Sequence, residues 1–175
     1  DAHNNLGATL KDLSQLEAAV NSFEQALAIK PDYAEAHNNL GATLHELGQF
    51  DAAISNYQSA LAIKPDSFKV HNNLGVVYQQ LGKLNTAIKC YKKALAINQD
   101  YPEAHNNLGN TFKELGQLDL SLKSYEKALA IKYEYTGAHS NRLFALNYFI
   151  ICDPKVSLKE AKKIGTLLKK KVTHH

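Results

Sequence analysis

Apolar positions recur along this chain with two nested periods. In residues 34–67, AEAHNNLGATLHELGQFDAAISNYQSALAIKPDS, Ala36, Leu40, Leu44 and Leu47 stand at four- and three-residue steps, the stripe of an amphipathic helix. Gly48 interrupts the stripe, and Phe50, Ala53, Ile54, Tyr57, Ala60 and Leu61 then mark a second one. Pro65 ends the second helix, because it lacks an amide hydrogen and disfavours helical geometry in the residue before it. The predicted unit is therefore helix, tight turn, helix, stop. The longer period is 34 residues: AHNNLG begins at 2, 36 and 104, VHNNLG at 70, and a worn copy, AHSNRL, at 138.

Small residues keep the same beat. Gly41, Ala53 and Ala60 return as Gly7, Ala19 and Ala26, as Gly75, Ala87 and Ala94, and as Gly109 and Ala128. They let two helix backbones approach, while Phe23, Tyr57, Tyr91 and Tyr125 fill the space beside them. One helix pair of this length cannot bury both of its stripes, whereas stacked neighbours can, which predicts an all-α solenoid. The expected layout is four units, 1–33, 34–67, 68–101 and 102–135, followed by 136–175 as a degenerate fifth unit and a terminal helix. In that last segment Arg142 and Leu143 stand where leucine and glycine are expected, and Pro154 breaks the chain. Ser157 and Glu160 are spaced as a capping box opening a basic amphipathic helix, expected to cover the end of the stack.

Leu40, Gly41, Leu44, Gly48, Ala53, Tyr57, Ala60 and Pro65 resemble the signature of the tetratricopeptide repeat, and four copies repeat it in phase over residues 1 to 149. The resemblance implies a right-handed solenoid whose first helices line a concave groove that binds protein or peptide ligands. Departures are local. His3, His37, His71 and His105 replace an early aromatic, Ser14 the turn glycine, Ser121 the packing alanine, and Gln99 and Tyr133 the closing proline.

Two asparagines per unit, weak helix formers in a helix interior, call for a use or for recent duplication. The resemblance implies that the second of each pair, Asn5, Asn39, Asn73, Asn107 and Asn141, faces the groove. Each amide offers an acceptor and two donor hydrogens, the complement of a peptide backbone. Helices packed about 10 Å apart would meet an extended strand about every three residues, given its rise of about 3.3 Å per residue. Such a ladder would grip a strand without choosing its sequence. Selection would fall to the variable groove positions Lys11, His45, Gln79 and Lys113, and to Asp12, Glu46, Gln80 and Glu114. The alternative is that the amides bond helix to helix, which is the preferred reading for the first asparagines, Asn4, Asn38, Asn72 and Asn106.

Composition narrows the function classes. The 175 residues are 45% hydrophobic and 21% charged, and a net charge of +3 is too small to imply a nucleic-acid or membrane partner. Lys162, Lys163, Lys169, Lys170 and Lys171 hold much of the excess, leaving a basic tail on acidic surfaces as a minor alternative. No run of about 18 apolar residues predicts a membrane span, and no signal peptide is seen. The chain lacks methionine and begins inside a repeat, so it is expected to be a piece of something longer, with an open end near Leu6 and Leu10 through which it could self-associate. Cys90 and Cys152 read as free thiols of a reducing, cytoplasmic compartment.

The recurring histidines lie about 10 Å apart on successive repeats by helix packing, whereas zinc ligands converge to within about 2 Å of one ion. They are expected to pack in place of the aromatic, with no metal and no cofactor. His174 and His175 are assigned no role. No phosphate-cradling glycine loop, nucleophile elbow or Cys-x-x-Cys motif is present, so no catalysis is expected of these residues. The KPDYAEAHNNLG joint and the closing AHSNRLFALNY nevertheless resemble the repeat region of O-linked N-acetylglucosamine transferases and Spindly-like relatives. That resemblance implies a substrate-recruiting arm whose transferase domain would lie beyond His175. A scaffold acting through its convex face or its open end is the alternative.

Overall fold

The computed structural model describes residues 1–152, and side chains up to residue 147. The expected terminal helix with its Ser157–Glu160 cap lies outside the described residues, as does the side chain of Cys152. Nine helices, and no strand, occur among the described residues: α1 (Ala2–Asp12), α2 (Leu16–Ile29), α3 (Ala34–Glu46), α4 (Phe50–Ile63), α5 (Phe68–Gln80), α6 (Leu84–Ile97), α7 (Pro102–Glu114), α8 (Leu118–Ile131) and α9 (Thr136–Cys152). The chain is an all-α helical-repeat solenoid. None of these helices is long and apolar enough to cross a membrane.

Each tight turn is a helix C-terminus closed in the left-handed conformation. After α3, Gly48 (φ 74°) donates its N–H to His45 O at 3.0 Å, and Gln49 donates to Leu44 O at 2.8 Å. These are the two bonds of a Schellman cap. Gly82 and Gly116 repeat it at φ 70° and 72°, and Ser14 adopts φ 59° where its hydroxymethyl group makes that region costlier. The second helices stop at equivalent residues whether or not proline follows. After α6, the Asp100 N–H donates to Asn98 Oδ1 at 3.1 Å, an Asx turn doing what Pro31 and Pro65 do elsewhere.

Within each pair the core is an aromatic ring under a glycine. A Cβ added at Gly75 would lie 2.6 Å from the Tyr91 ring, and one at Gly109 2.6 Å from Tyr125. Phe23, Tyr57, Tyr91 and Tyr125 are almost wholly buried, with Ala19, Ala53 and Ala87 beside them. Burial holds the Tyr57 and Tyr91 hydroxyls far above the ordinary phenol range. The Tyr91 and Tyr125 hydroxyls stay satisfied by donating to Gln79 Oε1 at 2.9 Å and to Asn110 Oδ1 at 2.7 Å.

Each later first helix packs on the second helix of the preceding pair, and successive first helices (α1, α3, α5, α7, α9) also touch. Successive second helices do not. The stack is therefore compressed on its first-helix side and splayed on the other, which makes the first-helix side the hollow one. The Leu6 side chain on α1 is half exposed and Leu10 partly buried.

Candidate functional site: a double ladder on the inner wall

The asparagines of successive first helices come together across the repeats. Asn39 Nδ2 donates to Asn4 Oδ1 at 3.1 Å, Asn73 to Asn38 at 3.2 Å, Asn107 to Asn72 at 3.1 Å and Asn141 to Asn106 at 3.0 Å. Every rung joins the second asparagine of one repeat to the first asparagine of the preceding one, a constant step of 35 residues. The acceptors Asn4, Asn72 and Asn106 are buried, and the donors Asn39, Asn73, Asn107 and Asn141 are half-buried. Asn5 is exposed. Each rung uses one donor hydrogen of the second asparagine. The Oδ1 of Asn73, Asn107 and Asn141 accepts no hydrogen bond among the described residues, while that of Asn39 has a long contact, 3.4 Å, from Asn38 Nδ2.

Two helical turns further on, the variable positions pair with one another at the same 35-residue step. Lys11 Nζ lies 2.6 Å from Glu46 Oε1, His45 Nε2 2.5 Å from Gln80 Oε1, and Gln79 Nε2 donates to Glu114 Oε1 at 2.6 Å. Lys113 instead sits over the Phe144 ring, 5.0 Å from its centroid. Residues that vary between repeats thus vary as matched donor and acceptor pairs. Between the two ladders runs a buried row of Thr43, Val77 and Thr111, in which each threonine hydroxyl donates to the backbone oxygen of Asn39 or Asn107. Beside Asn38 and Asn39 a cavity of about 400 Å³ opens, walled by Glu35, Lys64, Ser67 and Lys69.

The histidines act at the inter-repeat turns. Nε2 of His37, His71 and His105 lies 3.0 Å from the backbone oxygen of Pro31, Pro65 and Gln99, and that of His139 lies 2.7 Å from Tyr133 O. A carbonyl only accepts, so Nε2 carries the proton in each. Burial lowers the pKa of His71 and His105, outweighing the carbonyl bond that favours the charged ring. Among the described residues no group of His, Cys, Asp or Glu is arranged to hold a metal ion. The half-buried Cys90 is a free thiol with its pKa raised by burial, which keeps it in the poorly nucleophilic protonated form.

Sequence reasoning placed both asparagine rows on the first helices and expected the first row to bond helix to helix. It did not say which amide meets which, and it missed the second ladder and the histidine clasps. The signal for the ladders is an offset of one repeat plus one residue, visible in Lys11 with Glu46. The signal for the clasps is a histidine six residues after each closing turn.

A stack of helix pairs repeating every 34 residues along one continuous inner wall is the architecture of a protein-interaction module. The chain belongs to the tetratricopeptide repeat family, whose pattern matches residues 7–48, 42–82, 78–116 and 102–132. No curated protein matches it. Among solved structures it is similar to MamA from Desulfovibrio magneticus RS-1 (TM-score 0.77, 18% identity, 97% of this chain and 94% of that one). It is also similar to pilF of Pseudomonas aeruginosa (0.79, 22%, 85% and 68%) and to the APC/C hetero-tetramer Cut9–Hcn1 (0.77, 19%, 82% and 29%). At these identities the likeness is one of fold.

Proposed function

We propose that the inner wall binds an extended peptide, with the second-row asparagines Asn39, Asn73, Asn107 and Asn141 bonding its backbone. The supporting observation is that these amides are half-buried and only partly spent: one hydrogen goes to the preceding repeat, and in Asn73, Asn107 and Asn141 the carbonyl oxygen remains unused among the described residues. The first asparagines then hold the second row in register. Lys11, His45, Gln79 and Lys113 contribute to selection through the pairs they make with the next repeat. The AHSNRLFALNY joint favours the further reading of a substrate-recruiting arm of an O-linked N-acetylglucosamine transferase-like enzyme.

Four rungs about 10 Å apart match a strand of about 12 residues. A labelled, Ser/Thr-rich peptide of that length is the probe. Replacing Asn39, Asn73 and Asn107 by alanine weakens its binding about tenfold or more, since each lost bond is worth about 1 kcal/mol. Replacing Asn38, Asn72 and Asn106 instead lowers the melting temperature and leaves most of the affinity. Equal loss of affinity in both variants would assign the asparagines to the scaffold alone.

A further inference from the structure

The splayed outer side carries a groove of its own. Between α6 and α8, with α7 as floor, a cavity of about 720 Å³ opens, lined by Leu95, Leu108, Phe112, Leu120 and Ile131. Leu120 and Ile131 are 43% and 38% exposed, so this apolar surface reaches solvent. Lys92 stands on one rim, and Lys123 and Lys127, one helical turn apart, on the other. All three are exposed, and none has a carboxylate within ion-pair distance among the described residues. Asp100 is the acid lining the cavity.

The neighbouring seams differ at the same repeat positions. Between α2 and α4 the three lysines are replaced by Glu24, Ser55 and Ser59, and between α4 and α6 by Gln58, Lys89 and Lys93. The seam floor differs too. In the first seam the Asn56 side-chain amide reaches to 3.0 Å from His37 Nδ1, spanning second helix to first. Its counterpart in the groove, Ser124, is shorter and turns its hydroxyl onto Leu120 O at 2.7 Å, so the space beside His105 stays open. An apolar trough with basic rims suits the apolar face of an amphipathic helix flanked by carboxylates. The chain's own terminal segment, rich in lysine, has the wrong charge for it.

We infer that the α6–α8 groove docks an acidic amphipathic helix of a partner protein, on the face opposite the peptide-binding wall. The test uses the full chain and a fluorescein-labelled designed helix with leucine at the core-facing positions and glutamate elsewhere. Fluorescence anisotropy reports saturable binding that weakens as salt rises. The triple variant Lys92→Glu/Lys123→Glu/Lys127→Glu loses about tenfold or more, as expected from three ion pairs of modest individual strength. Ser124→Asn closes the trough without changing charge, using the residue the first seam already accommodates, and also weakens binding. The Asn39/Asn73/Asn107 alanine variant binds the helix normally. The inference is overturned if Ser124→Asn is silent while the lysine variant loses all binding, for that is nonspecific charge attraction. It is equally overturned if anionic vesicles compete while the helix shows no saturation.

Discussion

At the residue scale, the sharpest departure from the repeat is Ser121. It occupies the site of Ala19, Ala53 and Ala87, is wholly buried, and its hydroxyl makes no well-formed hydrogen bond among the described residues. That hydroxyl lies only near enough to the Tyr125 hydroxyl to oppose weakly the rise that burial gives that phenol. An unsatisfied buried hydroxyl costs roughly 1–3 kcal/mol. Ser121→Ala is therefore expected to stabilise the chain by about 1 kcal/mol, raising the melting temperature by about 2–4 °C for a chain of this size. An unchanged or lower melting temperature would mean the hydroxyl has a partner. The substitution is obvious from the sequence, whereas its cost is not. Likewise the two asparagine rows can be read from the 34-residue period, but which amide meets which depends on the one-residue stagger between neighbouring helices, and no single repeat encodes that.

At the scale of the element, two sets of glycines make different demands. Gly75 needs space, because a Cβ there meets the Tyr91 ring, and Gly82 needs backbone freedom, because nothing lies within 4 Å of its added Cβ. Gly75→Ala is expected to cost about 1–3 kcal/mol by overpacking, and Gly82→Ala roughly 1 kcal/mol through its left-handed φ. Urea denaturation checks both, and Tyr91→Leu, which removes the ring the added methyl would strike, should relieve only the first. Helix, turn and stop were all legible in the sequence because each depends on local spacing.

The histidine clasps were not legible, since the family resemblance suggested only bulk at that site. They also link stability to pH. His71 and His105 have folded pKa values below the ordinary histidine value, so the unfolded chain takes up protons first as pH falls. The stability they confer is complete above about pH 6.5 and declines below it. Melting temperature should fall between neutral pH and about pH 5.5, and His71→Phe/His105→Phe should flatten that slope. An identical slope in the variant would assign the pH dependence to other groups.

At the scale of the molecule, contact between successive first helices and its lack between successive second helices gives the stack one hollow wall and one splayed one. The solenoid was foreseeable because two amphipathic stripes per unit need neighbours. The outer groove was not, since it arises from three lysines and one serine brought together from two repeats, and only comparison of equivalent positions in Glu24, Gln58 and Lys92 hints at it. The two faces are chemically distinct, an amide-lined wall and a lysine-rimmed trough, so the two proposed ligands would not compete for the same residues.

The central claim is that the second-row amides meet a visiting strand. Side-chain amide NMR tests it most directly, by titrating the labelled chain with the Ser/Thr-rich peptide. The account predicts that the Nδ2 resonances of Asn39, Asn73 and Asn107 shift in step with saturation while those of Asn21 and Asn85, exposed on second helices, stay fixed. Saturable binding that leaves the three ladder resonances unmoved would contradict it.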